Sequence, residues 1–317
     1  MKDPVINRRV AEAAALRGFF QDQWEHLRLL ASDWRDKRAR VGEQAQRITS
    51  VVESIVEATD SRMRGVGDYR ERLRGSAHKI LDHIQGLVMA MPPAILVDRA
   101  AVVKDPLVSR LFGDRQRVRE VFCEDPAVQA YFHSQEHADK EQVFALLFLL
   151  RHDKNILGPE MRGEVIVKEV QQTSVAFHGH RLQAAGPDEG WVRSATKRIL
   201  FDNVITHIKH QITGLRHSQS EEEKRMGLLH PERNMDNPAV FIDMLVEQLG
   251  VPGKLIRLQD RMLRVDRMGI KLPLDSKASS DLLRLYELEI GEDHSRVAAI
   301  VRYPRSEFLA SVNQASG

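Results

Sequence analysis

The chain has 317 residues, 42% of them hydrophobic and 29% charged, which is enough for two domains and a sizeable core. Its 47 Lys and Arg against 45 Asp and Glu leave a net charge of +2, so global charge makes no case for a nucleic-acid or anionic-membrane partner. Aromatic content of 6% argues against an all-β sandwich, and a lone cysteine, Cys123, excludes an internal disulfide and a cysteine-rich zinc site.

The first residues, MKDPVINRRV, lack the apolar core of a secretory leader. The longest apolar run, Val143 to Leu150, falls far short of the roughly 20 residues that a membrane span needs. The expected location is cytoplasmic, with no transmembrane segment.

Asp3-Pro4 is a helix start, an N-cap followed by proline at the first helical position. From there an apolar residue recurs at every seventh position: Ile6, Ala13, Phe20, Leu27, Trp34, Val41, Ile48 and Ile55. A second, compromised seam lies four residues after each: Val10, Arg17, Trp24, Ala31, Arg38, Ala45, Val52 and Thr59. Some sixty helical residues would run roughly 90 Å, and a helix of that length needs its stripe covered. At Gly65-Val66-Gly67 the pattern breaks. Asp68 with Glu71 resembles a capping box, and a further series, Val66, Leu73, Ala77, Ile80, Ile84, Leu87 and Met91, ends at Pro92-Pro93. The reading is an antiparallel helical hairpin, with one continuous helix carrying a stutter as the rival. Its arms are unequal. Phe20, Trp24, Leu27 and Trp34 therefore stay uncovered by the hairpin, either as a partner surface or as an intramolecular packing face.

Asp105-Pro106-Leu-Val-Ser-Arg-Leu111-Phe112 is echoed by Asp125-Pro126-Ala-Val-Gln-Ala-Tyr131-Phe132, predicting two short capped helices. The run through Val143, Phe144, Leu147 and Leu150 predicts a helix over 136–152, stopped by Gly158-Pro159. After Gly163 the texture becomes β: strands over 164–170 and 173–182, then a helix over 191–215 with Ile199, Leu200, Val204, Ile208 and Ile212 on one face. Residues 217–237 read as an exposed loop and 238–249 as a helix. Short strands follow over 255–258, 262–265 and 269–272. A hairpin over 282–290 and 296–303 turns around Gly291, Pro304 ends it, and the tail from Ala310 is expected to fray.

Four features carry candidate chemistry. His133-Ser-Gln-Glu136-His137 has the H-x-x-E-H form of the inverzincin metalloproteases, which on one helix would put two imidazoles and a carboxylate on one face. That resemblance covers only those residues. His178 and His180 lie two apart on a strand, and His207 and His210 three apart on a helix. If that helix covers that strand, the four could converge on a metal, although an all-His site would be unusual. Arg62, Arg64, Arg70, Arg72 and Arg74 form a basic tip that could touch phosphates or could be a solvated turn. Cys123, beside Glu124 and Asp125, reads as a packing residue, since neighbouring acids disfavour a thiolate. No phosphate-binding or nucleophile motif is present.

The expected fold is α+β. A long coiled-coil-like helical hairpin occupies 1–92, a small helical region 93–160, and a mainly antiparallel sheet with two helices 161–317. The expected function is non-enzymatic: a cytoplasmic scaffold or adaptor that self-associates or binds a protein partner through its arm, with no cofactor and no metal. The alternatives are a nucleic-acid or anionic-membrane module using the basic tip, and a metal-dependent enzyme built on the four histidines.

Overall fold

A computed structural model describes residues 46–162, 165–226, 237–276, 278–291 and 294–315. The chain divides into two units, Met1–Val56 and Glu57–Gly317. The expected helix start at Asp3-Pro4 and the seam residues Phe20, Trp24, Leu27 and Trp34 lie outside the described residues.

Helix α1 is described over 46–59. Its buried positions in the first unit are Ile48, Val52, Ile55 and Val56, so the last three members of the two heptad seams before Thr59 coincide with its buried stripe. The second unit begins with the end of this helix. A 3-10 turn, Ser61–Gly65, follows, and Asp60 caps it by accepting from the Arg62 amide. Helix α2, Tyr69–Ala90, starts after the turn, so 46–90 is not one continuous helix. The capping box expected at Asp68 does not form: Asp68 occupies the N-cap, but its side chain makes no cap bond.

The stripe of α2 is buried as expected through Leu73, Ala77, Ile80 and Ile84, but in the last turn Val88 is the buried residue and Leu87, expected there, is only half-buried. It packs on α7 (Glu189–Met226) and α8 (Pro238–Gly250). Ser76 Oγ donates to the Val246 carbonyl at 3.0 Å, and the His83 ring bonds the Ile256 carbonyl at 2.8 Å. Arg193 of α7 ties down the C-terminus of α2. Its guanidinium donates to the carbonyls of Val88, Met91 and Pro92 at 2.6 to 3.0 Å and pairs with Glu189. This is how a cation satisfies the orphan carbonyls of a helix end.

Four short helices follow: α3 (Ala101–Lys104), α4 (Pro106–Phe112), α5 (Arg115–Cys123) and α6 (Pro126–His133). The echoed Asp-Pro pairs behave as their chemistry requires. Asp105 accepts from the amides of Leu107 and Val108, and Asp125 from those of Ala127 and Val128, with proline in the first turn of each helix.

Among the described residues seven strands form one sheet in the order β3-β2-β7-β6-β4-β5, and β1 (Ile95–Leu96) pairs with β7 in parallel. The others are β2 (Gln142–Arg162), β3 (Val165–Gly186), β4 (Ile256–Val265), β5 (Lys271–Leu272), β6 (Asp281–Ile290) and β7 (His294–Pro304), and their pairings are antiparallel. The fold is α+β with an antiparallel sheet. The two ends of the sheet path meet: the Val175 amide of β3 donates to the Gly269 carbonyl at 2.8 Å, and Ser174 bridges Ile270.

The helix expected over 136–152 is instead strand β2, preceded by a 3-10 turn, Gln135–His137. Over 143–149 both faces of this strand are covered. Val143, Ala145, Leu147 and Leu149 join a core that also draws Val108, Phe122 and Phe132 from the short helices. Leu146 and Phe148 point to the opposite face, where α7 lies against β2, β3 and β6. A strand buried on both faces reads as an unbroken apolar run, which periodicity cannot tell from a buried helix. That same core contains Val297, Ala299, Val301 and Phe308, so the boundary placed at 160 cuts through one hydrophobic cluster.

Two further expectations are corrected. Helix α7 runs on to Met226, into the segment read as a loop. Arg305–Ala315 is helix α9, which continues past Ala310, where a frayed tail was expected, and its Phe308 is buried in the core.

Candidate functional site

Gly158 and Pro159, expected to end a helix, lie inside β2. The strands β2 and β3 outrun the sheet. Beyond Lys154 and Ser174, residues 155–162 pair with 165–173 as a two-stranded ribbon, and Leu157, Val165 and Ile166 are each more than three-fifths exposed on it.

The four candidate histidines divide between two places. His178 and His180 do not share a face, because Gly179 between them takes φ +66° and the register slips there. His178 is exposed beside His152, with ring centroids 6.1 Å apart. His180 turns inward, stacks on Phe112 at 5.2 Å, and bonds the Leu111 carbonyl at 2.7 Å. Both border an open groove of about 720 Å³ along α5. His207 and His210 line a different cavity. Among the described residues no group of three or more His, Cys, Asp or Glu side chains is placed to hold a metal ion.

The H-x-x-E-H segment is not one helix either. His133 ends α6, Ser134 is extended, and Glu136 and His137 sit in the 3-10 turn. The His133 ring bonds the Gln129 carbonyl and His137 stacks on Tyr131, so the two imidazoles have separate packing roles. Cys123 contacts the hydroxyl of buried Tyr303 at 3.5 Å. Burial, with Cys123 beside it, pushes the Tyr303 hydroxyl well above the ordinary tyrosine value.

The basic tip is largely neutralised. Arg62 forks onto Asp60, Arg64 meets Glu57 at 2.7 Å, and Arg72 pairs with Asp243. Arg70 lies over the Tyr69 ring at 5.3 Å, and Arg74 is exposed on α2.

A second charged array sits on the sheet. Glu287 of β6 is 4% exposed and pairs with Arg151 of β2 and, at 3.6 Å, with Arg261 of β4. Glu289 receives Arg257 at 3.0 Å and Gln259 at 2.6 Å. Asp153 pairs with Arg151 at 3.0 Å. Each carboxylate is matched, so the array is self-contained.

The cavity holding His207 and His210 has a different balance. It encloses about 360 Å³ between α7 and the sheet. Its floor is Phe148, Leu288 and Ile290; Arg181 and Gln183 enter from β3 and Arg296 from β7. Asn203, Thr206, His207 and His210 form the roof, and their spacing of three, four and seven puts them on one helix face. No carboxylate lines it among the described residues. The wall near the β6–β7 turn is tight: Gly291 has φ +66°, and a Cβ there would lie 2.3 Å from the His207 ring. Both the backbone and the close approach require glycine.

Sequence reasoning missed Arg181, Arg296 and Phe148. Alternation along β3 and β7 could have placed each arginine on a sheet face, but no local signal joins two strands so distant in the chain. Among the described residues no helix is long and apolar enough to cross a membrane. Comparison with known protein families, with curated proteins and with solved structures gives no match.

Proposed function

We propose that this chain is a cytoplasmic, non-enzymatic scaffold or adaptor whose N-terminal helices form a coiled-coil-like hairpin and bind a second copy of the chain. The observation that carries the reading is the heptad stripe, whose members Ile48, Val52 and Ile55 are among the buried positions of α1. A stripe that continues at the same spacing through Trp34, Leu27, Trp24 and Phe20 must be covered by another apolar surface. The ribbon of 155–162 and 165–173 adds a second surface, since exposed aliphatic side chains on a two-stranded ribbon gain stability from a further layer.

Light scattering over a range of concentrations and at two salt levels tests this. The expected result is a dimer or larger species, reduced to monomer mass by Trp24→Glu with Trp34→Glu while the melting transition of the sheet persists. A monomer at every concentration, or an unchanged mass in the double variant, sinks the reading.

A further inference from the structure

We propose that the cavity between α7 and the sheet binds a small organic anion: a phosphate or carboxylate head carried on an apolar body.

The argument begins with register. Phe148 of β2 is paired with Arg181 of β3 on one side and with Ala298 of β7 on the other. Arg296 lies two residues from Ala298 on the same face, opposite Leu288 of β6. Strands two apart in a sheet are roughly 10 Å apart, so the guanidiniums rise from either side of the Phe148 ring with room between them for a ligand head.

Charge comes next. Among the described residues neither Arg181 nor Arg296 forms an ion pair or a side-chain hydrogen bond, and no carboxylate lines the cavity. The contrast is with Glu287, Glu289 and Asp153, where arginines and acids satisfy one another. Two guanidiniums facing one partly enclosed space repel each other until an anion enters, and each offers the planar fork that suits phosphate or carboxylate.

The remaining walls define the rest of the ligand. Phe148, Leu288 and Ile290 give an apolar floor, while Asn203, Gln183 and Thr206 supply amide and hydroxyl groups at the rim. A cavity of about 360 Å³ with an apolar floor and a rim of polar side chains has the dimensions of a small-molecule site. An inorganic ion would leave the floor unused. The geometry therefore favours an anion with a flat or aliphatic body.

Calorimetric titration of the full chain with four probes tests this: phenyl phosphate, benzoate, inorganic phosphate and benzyl alcohol. Phenyl phosphate or benzoate should bind, inorganic phosphate more weakly, and benzyl alcohol not at the same concentration. The first two probes separate a phosphate head from a carboxylate head. Arg181→Gln and Arg296→Gln should each weaken binding about tenfold, the scale of a lost charge-assisted bond. Asn203→Trp, on an exposed turn of α7, should fill the cavity and abolish binding with both arginines intact. Absence of binding by both aromatic anions at millimolar concentration overturns the proposal. So does equal binding of benzyl alcohol, or undiminished affinity in a double arginine variant that melts as the parent does.

Discussion

Gly179 shows how one dihedral distributes function. Its φ of +66° inserts a bulge in β3, turns His180 inward and leaves His178 outside. Burial then holds the His180 imidazole below its ordinary value, with the bond to the Leu111 carbonyl opposing the shift and Arg117 and His178 adding to it. The unfolded chain takes up that proton near pH ~6.5 and the folded chain only at lower pH. The stabilisation from neutral His180 is therefore complete above that value and is lost as pH falls through the folded pKa. Melting curves from pH 8 to 5 should show a smaller acid loss in His180→Gln, which keeps a donor for Leu111; equal losses in parent and variant would refute this. Glu189 shows opposing terms at another residue. Burial acts to raise its pKa, but the Ala94 amide and Arg193 outweigh that and hold it below the ordinary carboxylate range.

At the scale of elements, caps divide into those that bond and those that only occupy the position. Asp125 accepts two amides at the start of α6, whereas Asp68 makes no side-chain cap bond on α2. Asp125→Ala should cost about 1 kcal/mol in denaturant unfolding and Asp68→Ala much less. Equal costs would show that the cap geometry is not the source of the effect. Strand β2 makes a different point about elements. Its apolar run is the product of two cores, one under the short helices and one under α7, and neither can be inferred from residues 142–150 taken alone. The best hairpin in the sequence, around Gly291, forms as β6 and β7, because the turn glycine and alternating residues are both local to it.

At the scale of the second unit, the sheet closes where Ser174 meets Ile270, and the ribbon lies beyond that junction. Its residues contribute little to the core. Replacing 156–172 by an Asn-Gly turn joins the paired residues Asn155 and Thr173, and should leave the cooperative melt within about 1 kcal/mol of the parent. A collapse of the transition would mean that the ribbon is part of the folding unit. Loss of self-association with an unchanged melt would place a contact surface on it.

What the sequence by itself determined is what depends on neighbours in the chain. The capped helices at Asp105 and Asp125, the stripe of α2, the break near Gly65, and the turn at Gly291 all follow from side-chain bonds and periodicities a few residues long. What only the tertiary structure decided is what depends on strands and helices meeting across the fold. It made a two-faced strand of Val143–Leu150 and separated the histidine pairs that spacing had allowed to converge. It also brought Arg181 and Arg296 to one cavity. The physical reason is that burial on both faces, a bulge at one glycine and the order of strands in a sheet are set by long-range packing, which leaves no periodic trace in the residues that it joins.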